Sequence, residues 1–407
     1  MIEILVGLVI GMIASLVVLQ VFTYSEARNR NASGGANAQS TGAITLYQLQ
    51  TNVQRAGYGL SSVALLNCGV TWNVADNSAI SKSVRLAPVS VNPVSTDGTS
   101  LIPAGDANTD IIMVMYGNGN SLSQGSEIDP SGSSGSVYKL KSTTTVFSVG
   151  DRVIATLGTT ADSCGSAVLP ITQVTSVSST DGTVSASSGG AGVTLFNLGP
   201  GPSGVNATPT PTMPTNGPTV LVYAVRNKSL TVCDFNVNDC SLNSKSGLSS
   251  VWIPIAENVV SMRAVYWKDN SGALWDGSVV TNDQTQPIDS CGWARIWGLN
   301  IMLVTRSDER DKNIVTVANN SAIVSNTSAL ASISDGPAMA PSWDVNHDVT
   351  HNSFDLAQPI VLGTDDATDQ EWRHYRYRAF QTLIPVRNSV WLVPQLRPPI
   401  ASSTLCS

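Results

Sequence analysis

A charge-free apolar run near the start of the chain constrains its fold more than any other feature. From Ile4 to Leu19 the sequence reads ILVGLVIGMIASLVVL, and the apolar character continues to Phe22 before Glu26 restores polarity. As a helix, a run of this length nearly crosses the hydrocarbon core of a bilayer. A cleaved secretory signal has a basic region before its apolar stretch, whereas the acidic Glu3 precedes this one. We therefore interpret the segment as a helix for membrane insertion or assembly.

The carboxylate of Glu3 favours one use of this helix over another. A plain one-span tether tolerates an acidic residue at the membrane interface. In a bundle of identical helices, a carboxylate at an apolar end is costly unless a cation meets it. Each chain offers its own α-amino group at that depth. Pairing of Glu3 with a neighbour's terminus would therefore set the axial register of a polymer.

The first eleven residues, MIEILVGLVIG, resemble the start of mature type IV pilins and type II secretion pseudopilins. In that family the glutamate is fifth in the mature chain and here it is third, so either two residues are missing from this numbering or the processing differs. The resemblance implies insertion in the inner membrane as a precursor, cleavage by a prepilin peptidase, N-terminal methylation, and polymerisation by an assembly platform into a filament on the cell surface. It also implies that the assembly contacts are Glu3 together with Ile4, Leu5, Leu8, Ile10, Ile13, Leu16 and Val17.

The next stretch predicts a second, amphipathic part of the helix. Leu46, Leu49, Val53, Ala56 and Leu60 recur at spacings of three and four, which is typical of a helix that docks one apolar face on a sheet. Residues 29–42, NRNASGGANAQSTG, are poor helix formers, so we expect a hinge or an unwound segment there. The glycines of the sequence GYG at 57–59 predict the helix end.

Beyond residue 60, short apolar runs broken by turn residues predict strands. The clearest runs are Ile111–Tyr116, Thr219–Val225 and Leu299–Val304. The expected fold class is α+β, with an apolar helix over 1–28 and a hinge and amphipathic helix over 29–60, packed on a β-rich head of residues 61–407. Residues 90–215 are dense in Ser, Thr and Gly, and we interpret them as β-hairpins inserted into the head.

Several later passages resemble large PilW-like pilins. They are LYQL at 46–49, QRAGYG at 54–59, ENVV at 257–260 leading to VYW at 265–267, IMLVTRS at 301–307 and WRHYRYR at 372–378. The resemblance covers roughly residues 1–60 and 220–395, and it implies a minor priming or tip pilin. The main filament subunit, a secretion pseudopilin, and a membrane-tethered adhesin or enzyme stay open as alternatives.

Six cysteines are scattered along the chain without a C-x-x-C pair, which argues against a zinc ribbon: Cys68, Cys164, Cys233, Cys240, Cys291 and Cys406. Outside the cytoplasm, three disulfides are the expected state. Cys233 and Cys240 are close enough in sequence to close a small loop. The other four allow three pairings, of which sequence order favours Cys68 with Cys164 and Cys291 with Cys406. One or two free thiols are the alternative.

The chain shows no clear enzymatic pattern, so we predict that it is not an enzyme and needs neither a cofactor nor a metal. His347 and His351 are four apart but lack the glutamate of a metalloprotease motif. No G-x-S-x-G elbow, P-loop or dinucleotide fingerprint occurs at a plausible strand–helix junction. The acidic clusters at 308–311 and 365–369 lack EF-hand spacing, and solvated loops are the preferred interpretation over calcium sites.

Charge argues against nucleic acid as the main partner. The chain carries 22 basic and 29 acidic residues, a formal net charge of -7, and therefore no broad cationic field. Residues 372–380 predict a strand with His374, Arg376 and Arg378 on one face. We expect these side chains to pair with acidic neighbours rather than to hold DNA. The Thr/Pro strip at 207–215 is interpreted as a stiff linker in preference to a glycosylated patch.

Overall fold

The computed structural model describes residues 2–60, 62–72, 80, 82–107, 109–117, 125–143, 146–158, 162–189, 192–200, 218–270, 280–312, 314–317, 338–339 and 371–392. At residues 2–5, 27–32, 200, 317, 338–339 and 390–392 it describes the main chain only. Contacts divide the chain into two compact units. The first combines Met1–Ile44 with Val304–Phe380, and the second combines Thr45–Leu303 with Gln381–Ser407.

The N-terminal helix, α1, runs unbroken over Ile2–Arg55, a length of 54 residues. The expected unwinding between residues 29 and 42 is therefore wrong. Each glycine costs a helix only about 1 kcal/mol relative to alanine, and the segment also contains three alanines. Within the first unit, two of its glycines allow close contact. A Cβ on Gly34 would lie 3.3 Å from Cβ of Ser307, and one on Gly42 would overlap the ring of Phe380.

The predicted helix end is confirmed. Gly57 and Gly59 have φ angles of 79° and 70°, in the left-handed region that terminates helices. The last carbonyls of the helix also have a side-chain partner, because Nδ2 of Asn388 donates to the oxygens of Arg55 at 3.1 Å and Ala56 at 2.9 Å. Glycine geometry and this amide together stop the helix.

The described residues contain twenty strands and a second, short helix, α2 (Ser290–Ala294). The strands, in chain order, are β1 (Gly69–Thr71), β2 (Val84–Arg85), β3 (Val89–Val91), β4 (Ile112–Tyr116), β5 (Ser126–Glu127), β6 (Val137–Lys139), β7 (Asp151–Thr156), β8 (Val168–Pro170), β9 (Thr172–Ser178), β10 (Thr183–Ala186), β11 (Thr194–Pro200), β12 (Thr219–Arg226), β13 (Ser229–Asp234), β14 (Ile253–Glu257), β15 (Val259–Asp269), β16 (Val280–Asp283), β17 (Ile296–Arg306), β18 (Thr316–Val317), β19 (Ala338–Met339) and β20 (Tyr377–Pro385). The three runs singled out in the sequence are β4, β12 and the core of β17, so those strand predictions are confirmed.

The strands form five sheets in the described part of the chain. Their strand orders are β2-β1-β8, β5-β11-β7-β9-β10-β6, β14-β13-β12-β4-β3, β16-β15-β17-β20 and β18-β19. The six-stranded and five-stranded sheets are antiparallel throughout. An N-terminal apolar helix and a large β-rich body are consistent with the α+β class.

The five-stranded sheet is buried on both faces. In β4, Ile112 and Val114 belong to one core cluster, while Met113 and Met115 belong to another. Opposite faces of a strand carry alternate residues, so the two clusters lie on the two sides of this sheet. Burial on both sides explains why β4 and β12 are continuous apolar runs without polar alternation.

The end of α1 belongs to the first of these clusters. Leu49, Val53 and Ala56 are fully buried there, among residues of β3, β4, β12, β15 and β17. The amide of Asn52 donates to the buried Tyr223 hydroxyl at 2.7 Å. The amphipathic spacing in the sequence therefore identified the docking face of the helix correctly.

The inserted region is one sheet with a core of its own, narrower than the expected 90–215. All six strands of the six-stranded sheet lie within 126–200, whereas β3 and β4 belong to the five-stranded sheet. A separate cluster of nine buried residues lies in this sheet and its loops, and it includes Tyr138, Phe147 and Leu195. β9 and β10 form a hairpin, as expected. Pairing of β11 with β5 and β7 instead joins segments far apart in sequence.

Candidate functional site

The apolar part of α1 is the candidate site for membrane insertion and assembly. The stretch Val6–Glu26 contains 21 residues, and none of them is buried within the described chain. At 1.5 Å per residue this stretch is about 32 Å long, which matches the roughly 30 Å hydrocarbon core of a bilayer. By length and composition, the helix could serve as a membrane anchor or a signal.

The predicted assembly side chains are exposed on every side of this helix. Leu8, Ile10, Ile13, Leu16 and Val17 are between 53% and 67% exposed. A helix that is apolar all round needs a surrounding of lipid or of other helices. Fully burying a large aliphatic side chain contributes about 1.5–3 kcal/mol. Because 53–67% of each side chain is exposed, covering these five would contribute roughly 4–10 kcal/mol.

Two hydroxyl groups in the span are compatible with an apolar surrounding. Ser15 Oγ donates to the carbonyl of Gly11 at 2.9 Å, and Thr23 Oγ1 donates to that of Gln20 at 2.9 Å. A hydroxyl bonded to its own helix needs no water. Such internal bonding is what a bilayer core demands of polar groups.

The tip of the helix is described by its main chain only. Glu3, Ile4 and Leu5 lie within α1, and their side chains fall outside the described residues. The pairing of Glu3 with a neighbouring amine therefore stays a prediction. Glu3 and Glu26 are 23 residues apart, so about 35 Å of helix separates the two acidic positions that bracket the apolar span.

Sequence reasoning missed the aromatic end of the span. Phe22 and Tyr24 are 72% and 63% exposed, directly before Glu26. Tyr and Trp, whose rings carry a polar group, are enriched at membrane interfaces, and Tyr24 is of this kind. The signal was present in the sequence as two aromatic residues at the polar end of an apolar run.

Sequence reasoning also missed a stripe of small residues that follows the span. Gly34, Ala38 and Gly42 repeat every four residues, and so lie on one face of α1. Ala38 is buried, and its carbonyl accepts a hydrogen bond from Thr305 Oγ1 at 2.8 Å within the first unit. The four-residue spacing of Gly34, Ala38 and Gly42 was the available signal, but the segment was interpreted as a hinge or an unwound stretch.

Two of the three predicted disulfides are present. Cys68 bonds to Cys164 and Cys233 bonds to Cys240, with Cα atoms 5.4 Å and 6.1 Å apart. All four of these cysteines are buried. Cys406 lies outside the described residues, so its bond to Cys291 stays a prediction. Disulfides of this kind are typical of a location outside the cytoplasm.

The charged residues near the end of β17 pair with each other. Arg376 lies 3.3 Å from Asp311, and Arg310 lies 2.7 Å from Glu371. Asp308 accepts a hydrogen bond from Asn37 at 3.2 Å. Among the described residues, no group of three or more His, Cys, Asp or Glu side chains could hold a metal ion. The pair of Arg376 with Asp311 agrees with the expectation that basic side chains of 372–380 meet acidic neighbours.

The predicted strand at 372–380 is wrong in its first half. Glu371–His374 is a 3₁₀ turn, and β20 begins only at Tyr377. The main chain here bonds to the segment after β17, since the carbonyl of His374 accepts from the amide of Asp311 at 2.7 Å. Alternation along the sequence could not reveal these bonds. Other predictions, at 207–215, His347, His351 and 365–369, fall outside the described residues.

Two buried ionisable groups of the body, Asp234 and Tyr266, are bonded to backbone amides. Burial raises the pKa of the Asp234 carboxyl, which accepts a hydrogen bond from the amide of Asn236 at 2.8 Å. Burial also raises the pKa of Tyr266, whose hydroxyl accepts from the amide of Val91 at 2.6 Å. Each partner is a backbone amide, so these groups connect loops and strands.

Comparison of the chain with protein-family models, with curated proteins and with solved structures finds no match.

Proposed function

We propose that this protein is a structural subunit of a type IV pilus-like extracellular filament, first inserted in the inner membrane and then polymerised through its N-terminal helix. The observation that carries the proposal is the 21-residue apolar stretch of α1, of which no residue is buried against the described part of the chain. The resemblance of the first eleven residues to mature pilins adds support.

The exposed apolar surface of Val6–Glu26 needs a cover other than water. Apolar side chains that remain in water cost free energy in proportion to their area. A bilayer covers them before assembly, and the helices of neighbouring subunits replace the lipid in a filament. The same helix also supplies Leu49, Val53 and Ala56 to the core of the body. The apolar span is therefore continuous with residues that are packed in the core of the body, so assembly through the helix also carries the body into the filament.

The partners follow from this route. They are the lipid bilayer, a prepilin peptidase, an inner-membrane assembly platform, and identical or related pilin subunits. Glu3 pairs with the N-terminal amine of a neighbour, and the apolar side chains from Ile4 to Val17 form the packed contacts. Within this class, the resemblance to PilW-like proteins favours a minor pilin of the initiating complex or tip. The role is structural and needs neither catalysis nor a cofactor.

The test replaces Glu3 in the native cell and measures the chain in membranes and in sheared filaments. Glu3→Ala should stay in the membrane, because the apolar span is intact, yet fall at least tenfold in filaments. Loss of one partner from a buried ion pair costs about 3–5 kcal/mol, because the other charge is left unpaired. That range corresponds to more than a hundredfold in an equilibrium constant.

Two matched variants separate charge from shape. Glu3→Gln keeps the size of the side chain but removes its charge, so it should fail as Glu3→Ala does. Glu3→Asp keeps the charge and should retain part of the incorporation. Normal filament content in Glu3→Ala would refute the pairing. A wild-type chain found only in membranes, never in filaments, would instead support a tethered adhesin or enzyme.

A further inference from the structure

The six-stranded sheet is joined to the five-stranded sheet through one place in the polypeptide. The chain leaves the five-stranded sheet after β4 and returns to it at β12. These two ends are direct neighbours, since Tyr116 pairs with Thr219. The inserted sheet is therefore linked through the main chain at one edge of the β4–β12 pair. Its position also depends on contacts elsewhere, since Ile154 and Phe196 share a core with Met113 and Val222.

A second attachment lies on a different sheet. Between β7 and β9 the chain leaves the six-stranded sheet as a loop and forms β8, which pairs in parallel with β1. Cys68 comes directly before β1, and Cys164 lies in the loop before β8. Their disulfide closes this contact covalently across 96 residues of sequence. We define the latch junction as residues 68–71 together with residues 162–170.

Hydrogen bonds of the two residues before Cys164 support the latch junction. Ser163 Oγ donates to the carbonyl of Ala64 at 2.8 Å. The amide of Asp162 donates to Ser290 Oγ at 2.8 Å, and the Asp162 carboxylate accepts from the amide of Ser290 at 2.9 Å. Ser290 is fully buried at the start of α2. The loop that carries Cys164 is thus held to two other segments of the body.

The six-stranded sheet does not need this attachment in order to stay folded. One of its faces has a separate core, to which Val153 of β7 and Leu195 of β11 contribute. The other face, with Ile154 and Phe196, packs into the core that also contains Cys68 and Cys164. Opening of the latch junction would disturb the contacts of Ile154 and Phe196 and leave those of Val153 and Leu195 intact.

We infer that the Cys68–Cys164 disulfide is a latch that holds the inserted sheet in place on the body, and that its loss opens the latch junction without unfolding either sheet. The position of the inserted sheet then depends on oxidation of this pair. The latch is a property of the chain whether or not the chain polymerises. It differs from the Cys233–Cys240 bond, which joins cysteines separated by 7 positions at the end of one strand.

The test is hydrogen exchange, read peptide by peptide, on the full chain in detergent. In the double variant Cys68→Ser with Cys164→Ser, amides of β1 and β8 should exchange at least tenfold faster than in the wild type. Amides of β6 and β10 should stay within twofold, because Tyr138, Val184 and Ala186 belong to the separate core of the six-stranded sheet. The matched control, Cys233→Ser with Cys240→Ser, should leave β1 and β8 unchanged.

Three results would overturn the inference. Unchanged exchange at β1 and β8 in the double variant would show that the disulfide holds nothing there. Loss of protection throughout the six-stranded sheet, or failure of the variant to fold, would show a bond required for folding instead of a latch. A second variant, Asp162→Ala, keeps the disulfide and should raise exchange at β8 less than the double variant does. An equal or larger effect would assign the latch to the hydrogen bonds with Ser290.

Discussion

Gly42 offers a direct test of how α1 packs in the first unit. An ideal Cβ at this position would lie 2.5 Å from Cδ2 and 2.6 Å from Cζ of Phe380, whereas carbon atoms in contact are about 3.5–4.0 Å apart. In Gly42→Ala the ring must therefore move by about 1 Å or more. Overpacking of this kind typically costs about 1–3 kcal/mol.

Gly35→Ala is the matched control, because a Cβ at Gly35 meets nothing within 4 Å. Both variants gain the same helix propensity, about 1 kcal/mol, so their difference isolates the contact with Phe380. The expected difference of about 1–3 kcal/mol corresponds to about 5-fold to about 140-fold in a local opening equilibrium. Hydrogen exchange of residues 33–44 in detergent measures it directly.

Equal protection in the two variants would refute the close contact between residue 42 and Phe380. A further check is Phe380→Ala in the Gly42→Ala background, which removes the ring and should recover much of the lost protection. Without such recovery, the cost would have to come from a source other than the overlap with Phe380.

Three further predictions concern the body. Tyr266→Phe should cost about 1–3 kcal/mol in urea unfolding, because it leaves the buried amide of Val91 without its acceptor; an unchanged midpoint would contradict that bond. Asp234→Asn should raise the urea midpoint at pH 7 and lose that gain as the pH falls to about 3. Burial raises the pKa of this carboxyl, so the folded protein loses stability at any pH above the ordinary pKa near 3.9, where the unfolded chain is ionised. An equal gain at both pH values would exclude this cause. A chain that starts at Thr41 should be a soluble monomer by light scattering, because it retains the core residues of α1 and loses the apolar span. Filaments of normal geometry from this chain would show that contacts of the body drive assembly.

The sequence by itself determined the features that depend on adjacent residues. The apolar span from Ile4 to Phe22 is recognisable because length and composition decide whether a helix can cross a bilayer. The stop at Gly57 follows from the conformational freedom of glycine, and the short loop between Cys233 and Cys240 follows from their separation of seven. The strands β4 and β12 are likewise evident as apolar runs between turn residues.

Tertiary structure decided the features that depend on distant neighbours. Gly42 reads as a helix breaker in sequence, but Phe380, far along the chain, makes it a point of close contact within an unbroken helix. His374 alternates as in a strand, yet its bond to Asp311 places it in a turn. The sheet order of residues 126–200 and its attachment through Cys164 rest on pairings between segments up to 96 residues apart. Local pattern cannot specify such pairings, because the free energy that selects them comes from contacts that exist only after the chain has folded.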